Sequence, residues 1–459
     1  MKLRYFLILG VCCPFSVFAD VSLYGRVAAA LENDTFPSNN QVQPGTTSVQ
    51  DYGSYFGIRG TDNVYGQTAA VWQVEQFLNI TTGEAYQNTT GAGWGTKNPN
   101  SPNSGSATIT SAKNTLASSD SYIGLQGGWG RIRIGNLSNT FRTNTGSIDI
   151  YNGANANVMG TYDRVLRVLP ETVRYDSPTW AAVKFSAYYS ANLDGNFNTG
   201  GANGNGVYAG DMNGFNNSPI VGAGIFYNPG YFSVTWNNQL WTNSGIYQTM
   251  GGSQPGYIGA NQVSQGVNSY VSRLELMYND PDDMFIGIGG QITQGIGWWS
   301  IPGQGNMNNF WIQNPSANGV NSNYINQASC SNGYCALNQA VLSTAEMGIS
   351  FGWHIDNWTP KVGYVMGNNM MAGGSAWDII SGNNQIGGTG YQQVIAELDW
   401  NITPRTIAFV NYGQLWYGSA AQNTVMSSSG TTPGANAIAQ GGSKWINNGT
   451  GAVGFSHTF

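Results

Sequence analysis

Charge is scarce in this chain. Asp, Glu, Lys and Arg together make up 9% of 459 residues, against roughly 25% in an ordinary soluble protein. Mean hydropathy is nevertheless slightly negative, at -0.24, so the polarity comes from Asn, Gln, Ser, Thr and Gly. Acidic residues outnumber basic ones, 23 to 17, which disfavours a nucleic-acid partner. Histidine occurs twice, at His354 and His457. With so few soft ligands, no metal site or cofactor is expected. Neither His adjoins a Gly-x-Ser-x-Gly motif, so no catalytic residue is expected either, and a hydrolase is the weaker reading. Long apolar runs are also missing. After the first nineteen residues nothing approaches the ~18 consecutive apolar residues of a membrane-spanning helix. What the chain does hold is 13% aromatics and 64 Gly, a poor match to disorder.

Residues 1–19 read as a signal peptide. Lys2 and Arg4 form its positive end, Tyr5 to Phe18 an apolar run, and Val17-Phe18-Ala19 a small-residue cleavage site before Asp20. Val11 before Cys12 is too large for a lipid-attachment box. Cys12 and Cys13 leave with that segment, so Cys330 and Cys335 remain. An oxidising, exported setting favours a loop-clamping disulfide between them, turned by Asn332-Gly333, with two free thiols as the alternative.

The mature chain, 20–459, reads as one domain of alternating stretches. In Val21–Leu31 one parity holds Val21, Leu23, Gly25, Val27, Ala29 and Leu31, and the other holds Tyr24 and Arg26. Such alternation marks a strand with one apolar and one polar face. Sixteen such strands are expected between Val21 and Phe459. Seven short connections alternate with eight long ones, in phase along the chain. That pattern fits an all-β, antiparallel up-and-down transmembrane barrel with short periplasmic turns and long outer loops. In lipid such a sheet must close on itself.

Parity then assigns faces. In Arg131-Ile-Arg-Ile134 the isoleucines face lipid, because Arg at the midplane of that face costs about 2–4 kcal/mol. Arg131 and Arg133 therefore line the lumen, and the same parity adds Arg26, Arg59 and Arg174, with Glu75 as an acidic counterpart. Such a wall biases permeation weakly toward anions. The connection 137–171 is the candidate constriction. It carries Arg142, Asp149, Asp163, Arg164, Arg167 and Glu171, which together set a transverse field without adding net charge.

At these residues the chain resembles the Gram-negative general porins, especially the neisserial branch. The similar pieces are Asp20-Val-Ser-Leu-Tyr-Gly25, Gly57-Ile-Arg-Gly60, Trp72-Gln-Val-Glu-Gln76, Ser121 to Gly135, Val173-Arg-Tyr-Asp-Ser-Pro178 and Val453-Gly-Phe-Ser-His-Thr-Phe459. The resemblance implies a homotrimer in the outer membrane, in contact with lipid and lipopolysaccharide, with its third loop, 137–171, folded inward. It also implies that Phe459 is the assembly signal read by the barrel-insertion machinery. The implied function is a diffusion channel for ions and small hydrophilic solutes, with a channel specific for a sugar or organic acid as the alternative. The family often has Arg where Asn136 stands, and the enteric Pro-Glu-Phe-Gly constriction motif is absent.

Overall fold

The computed structural model describes residues 20–35, 37–38, 41–42, 46–81, 116–143, 147–152, 162, 165, 168–191, 219–242, 269–281, 283–294, 310–313, 325–331, 334–337, 342–372, 385, 390–417 and 448–459. The expected leader, 1–19, lies outside them, as do most residues of the long connections.

Sixteen wall strands stand among the described residues: β1 Asp20–Thr35, β2 Tyr55–Tyr65, β3 Thr68–Phe77, β4 Ser121–Gly127, β5 Gly130–Ser138, β6 Val168–Asp176, β7 Val183–Ser190, β8 Ile220–Tyr227, β9 Phe232–Trp241, β10 Ser269–Asn279, β11 Met284–Gln294, β12 Leu342–Trp353, β13 Trp358–Gly367, β14 Tyr391–Thr403, β15 Thr406–Tyr417 and β16 Asn448–Thr458. Each pairs antiparallel with the next, and β16 returns to pair with β1 from Arg26↔Thr458 to Thr35↔Gly449. The sheet is therefore a closed barrel, as its sequence alternation requires. β1 outruns β2, so its far half pairs instead with Thr46–Asp51. The bend between that segment and β2 is held by the Asp51 carboxylate, which accepts from the Gly53 and Ser54 N–H groups, both at 2.9 Å.

The seam closes on the last residue. The Gly25 and Phe459 backbones exchange two hydrogen bonds of 3.1 Å. A Cβ on Gly25 would lie 2.6 Å from the Phe459 ring and 2.7 Å from the Tyr55 carbonyl. Only glycine leaves room there for the terminal ring to lie across the seam.

Outward and inward faces follow the alternation. Leu23, Ile123, Ile134, Leu274, Ile288, Met347, Val410 and Phe455 lie on the outside and are exposed. Gln73, Arg133, Ser186, Asn237, Gln239, Gln291, Glu346, Gln393 and Asn411 occupy the inward parity and are buried. An exposed apolar band around a polar inside is the reverse of a soluble protein, and it fits a hydrocarbon solvent. Near the short turns the outer face carries Tyr65, Trp129, Trp180, Tyr231, Trp353, Trp358 and Trp400, all exposed. Rings of this kind prefer the level of the lipid headgroups. Trp358 and Trp400, on paired strands, stack with centroids 5.7 Å apart.

Strand β6 reaches into the stretch expected to be the connection 137–171. It begins at Val168, and Leu137 and Ser138 of β5 pair with Leu169 and Val168. The intervening connection is therefore shorter than 137–171, and Glu171 is a strand residue. The reason is a bulge. Pro170 has no N–H to give to the ladder, and Glu171 takes a left-handed φ of 49°, which shifts the register between Gly135 and Leu137. Alternation in the sequence breaks at that point, so the strand residues before it read as loop.

The wall predicts a direct asymmetry. Ile134→Arg should lower barrel stability by about 2–4 kcal/mol, read by urea unfolding in lipid vesicles. Ile134→Val should stay within about 1.5 kcal/mol of the natural protein.

Candidate functional site

Three early-wall arginines meet at one acid. Arg133 Nη2 lies 2.7 Å from Asp176 Oδ2, and Arg174 Nη2 lies 2.8 Å from Asp176 Oδ1. Arg131 is more distant, at 3.6 Å. The Ser186 hydroxyl donates to the same carboxylate at 2.6 Å. The register explains the convergence, since Arg131 pairs with Asp176 and Arg133 with Arg174 across β5 and β6. Asp176 was not among the expected lumen residues, yet three of the five expected pore-lining arginines gather around it. Burying two guanidinium groups is tolerable because each finds an anionic partner.

The other two arginines stand elsewhere on the inner wall. Arg59 lies over the Tyr24 ring, 4.9 Å from its centroid. The Tyr24 hydroxyl in turn donates to Glu75 Oε2 at 2.9 Å. Arg26 donates to Ser456 Oγ at 2.8 Å and to the Asn152 carbonyl.

That last contact belongs to the connection between β5 and β6. Its described residues, 139–143, 147–152, 162 and 165, run along the inside of the barrel. Asn139 donates to Gln239 of β9 at 2.8 Å. Phe141 and Val165 pack with Tyr188, Ile220, Trp241 and Val271 in an apolar cluster against β7 to β10. Ser350 of β12 donates to the Ser147 carbonyl. Asn152 N–H donates to Glu397 at 2.9 Å, and its side chain donates to Asp399 at 2.6 Å, both on β14. The chain returns at Tyr162, whose carbonyl accepts from Arg273 at 3.1 Å and from Gln291 at 2.6 Å. One connection that touches β1, β9 to β12 and β14 can lie only within the wall.

Glycines make the seat. A Cβ on Gly287 would overlap the Ser147 carbonyl. One on Gly289 or Gly348 would come within 3.1 Å of Ile148, and one on Gly363 would strike the Tyr151 hydroxyl. Burial, reinforced by Asp149 and Glu397, pushes the Tyr151 phenol well above its ordinary pKa, so it stays neutral where it docks.

The expected loop charges separate. Arg142 sits half-buried in the single helical turn Thr140–Thr143, and Asp149 is exposed. Glu171 belongs to β6. Asp163, Arg164 and Arg167 lie outside the described residues. So does the question of a Cys330–Cys335 bond, because the side chains of Ile325–Ser331 and Tyr334–Leu337, the short strands that hold these cysteines, are not described.

A second set of inward charges was missed. Lys361 of β13 bridges Glu397 at 2.9 Å and Asp399 at 2.6 Å. Arg273 stacks over Tyr162, 4.6 Å from its ring centroid. Glu346 accepts from Gln291, Tyr391 and Thr344 at 3.0, 2.8 and 2.7 Å. The signal was available: Arg273-Leu-Glu275-Leu276 and Glu397-Leu-Asp399-Trp400 repeat the alternation of Arg131-Ile-Arg-Ile134. The inner wall is thus basic over β1 to β7 and richer in acids over β10 to β14.

With this geometry established, comparison places the chain among known proteins. It is 24% identical over 426 residues to the major outer membrane protein P.IB of Neisseria meningitidis serogroup B, covering 91% of this chain and 94% of that one. The P.IA protein of serogroup C matches at 24% over 420 residues, 87% and 90% of the two chains. A P.IB protein of Neisseria sicca reaches 30%, over 38% of this chain and 43% of its own. The chain is similar to neisserial major outer membrane proteins over nearly its whole length. It is accordingly an outer-membrane protein. No family model matches it. Among solved structures, an anion-selective porin from Comamonas acidovorans shares the fold with a TM-score of 0.53 and 13% identity, over 96% of this chain and all of that one. OmpT of Vibrio cholerae, in a trimer form, does so at 0.50 and 12%, over 96% and 99%.

Two substitutions probe these contacts. Asp176→Ala should destabilise the barrel by about 3–5 kcal/mol, because it strands buried Arg133 and Arg174; urea unfolding measures it. Gly287→Val should cost about 1–3 kcal/mol of overpacking at the seat of the inner segment. It should raise single-channel conductance by moving that segment off β11 and β12.

Proposed function

We propose that this chain is a general diffusion porin, a water-filled outer-membrane channel for ions and small hydrophilic solutes with a weak preference for anions. One observation carries the reading. Inside a wall whose outer face suits lipid, Arg59 remains exposed and the Arg131 side chain remains 33% exposed. A cation on an inner wall stays exposed only if water reaches it.

The same contrast supports the sign of the preference. The acids of the opposite wall are covered: Glu275, Glu346, Glu397 and Asp399 are each 5% exposed or less. A passing solute therefore meets more uncovered positive than negative charge, while the near balance of the whole wall keeps the bias small. The inner segment between β5 and β6 is the constriction in this reading, with Arg142 and Asp149 as its described charges. The short turns face the periplasm. A homotrimer belongs to the same reading, with lipopolysaccharide as an outer-leaflet neighbour and Phe459 as the residue that the insertion machinery reads. A trimer form is described for the Vibrio cholerae protein of this fold.

Planar-bilayer recording under a salt gradient tests the channel, its threefold assembly and its preference. Stepwise conductance in triplets and a small reversal potential of anionic sign are expected. Arg59→Glu combined with Arg131→Glu should carry the reversal potential to the cationic side. Absence of conductance would remove the channel, and a cationic reversal potential in the natural protein would remove the proposed preference.

A further inference from the structure

We infer that the inner wall near the short turns holds a discrete binding site for a small phosphate-class oxyanion; this rests on the channel reading, which gives such a solute access to the wall. The site is a recess of about 470 Å³ lined by inward residues of six consecutive strands and the turns between them. Thr61 and Asn63 come from β2, Gln126 from β4, Arg131 from β5, Asp176 from β6 and Lys184 from β7.

The electrostatics of this recess are unbalanced. Four cations surround a single carboxylate, and that carboxylate is already spent. Asp176 Oδ2 is taken by Arg133, and Oδ1 by Arg174 and Ser186. Arg131 reaches it only at 3.6 Å and makes no hydrogen bond among the described residues. Lys184 makes neither an ion pair nor a hydrogen bond among them. A guanidinium fork and an ammonium group thus share one concave space with donors unused, while the buried ion pair behind them fixes the strands that carry them.

The rest of the lining fits the same ligand. Asn63, Gln67 and Gln126 bring amide N–H donors, and Thr61 brings a hydroxyl. A tetrahedral oxyanion accepts several hydrogen bonds at once and makes use of the planar Arg fork. A halide has no geometry to exploit there and is held only by charge. The site is therefore expected to discriminate a phosphate-class anion from chloride.

Two readouts test this on the detergent-purified mature protein. Isothermal titration with inorganic phosphate should give saturable binding that equimolar chloride does not displace. Lys184→Gln breaks no ion pair, so it should leave the fold intact while weakening affinity about tenfold, the loss expected for one charge-assisted hydrogen bond. Adding Arg131→Gln should remove saturation. Arg405→Gln, in an exposed turn outside this recess, should leave affinity unchanged. In planar bilayers, phosphate should reduce the chloride current of the natural protein and not that of the double variant. Equal phosphate affinity in Lys184→Gln and the natural protein would overturn the site, as would an equal loss in Arg405→Gln. Normal chloride current without saturable phosphate binding would overturn the site and leave the channel standing. Saturable binding without current would remove the channel and leave the site.

Discussion

Backbone hydrogen bonding in a medium without water is the constraint on which this molecule depends. Each peptide group that faces hydrocarbon must find its partner within the protein, at a cost of several kcal/mol if it does not. Pairing of β16 with β1 satisfies the last free edge. The other features follow from that closure. Once the sheet is a cylinder, alternate side chains have nowhere to go but lipid or lumen. Apolar residues then sort to the exposed side and polar ones to the enclosed side.

That sorting is why the architecture was legible in the sequence. Val21 to Leu31 and Arg131 to Ile134 carry the period of two openly, and the in-phase lengths of the connections distinguish a barrel from a sandwich. Where the reading fell short, the reason was local. The bulge at Pro170 and Glu171 breaks the period, so the start of β6 was placed within the loop. Asp176 precedes Ser177-Pro178, a turn signal, and its role as the anion under Arg133 and Arg174 exists only through the pairing of β5 with β6. The inward charges of β10 to β14 were within reach of the same parity argument that found the arginines of the early strands.

The seat of the inner segment belongs to a different category. Gly287, Gly289, Gly348 and Gly363 look in sequence like weak points in strands, since glycine packs nothing and favours flexibility. In the fold they are recesses that receive the Ser147 carbonyl and the Ile148 and Tyr151 side chains of a segment crossing the barrel. No one-dimensional pattern distinguishes the two situations, because the partner lies more than a hundred residues away. The charges that matter inside are likewise held by pairs distant in the chain: Arg26 with Asn152, and Lys361 with Glu397.

The inner segment is gripped by side chains such as Phe141, Ile148 and Asn152 and, between them, through its main chain. Ser147, Asn152 and Tyr162 all offer carbonyl oxygens to the wall, and Asn152 adds its N–H. Main-chain atoms are common to every residue type, so that part of the grip is indifferent to the text written on the segment. Side chains that point away from the wall are free to be exchanged during evolution without loosening the strap. A lineage could thus revise what its pore admits by rewriting a few letters, and keep the same frame.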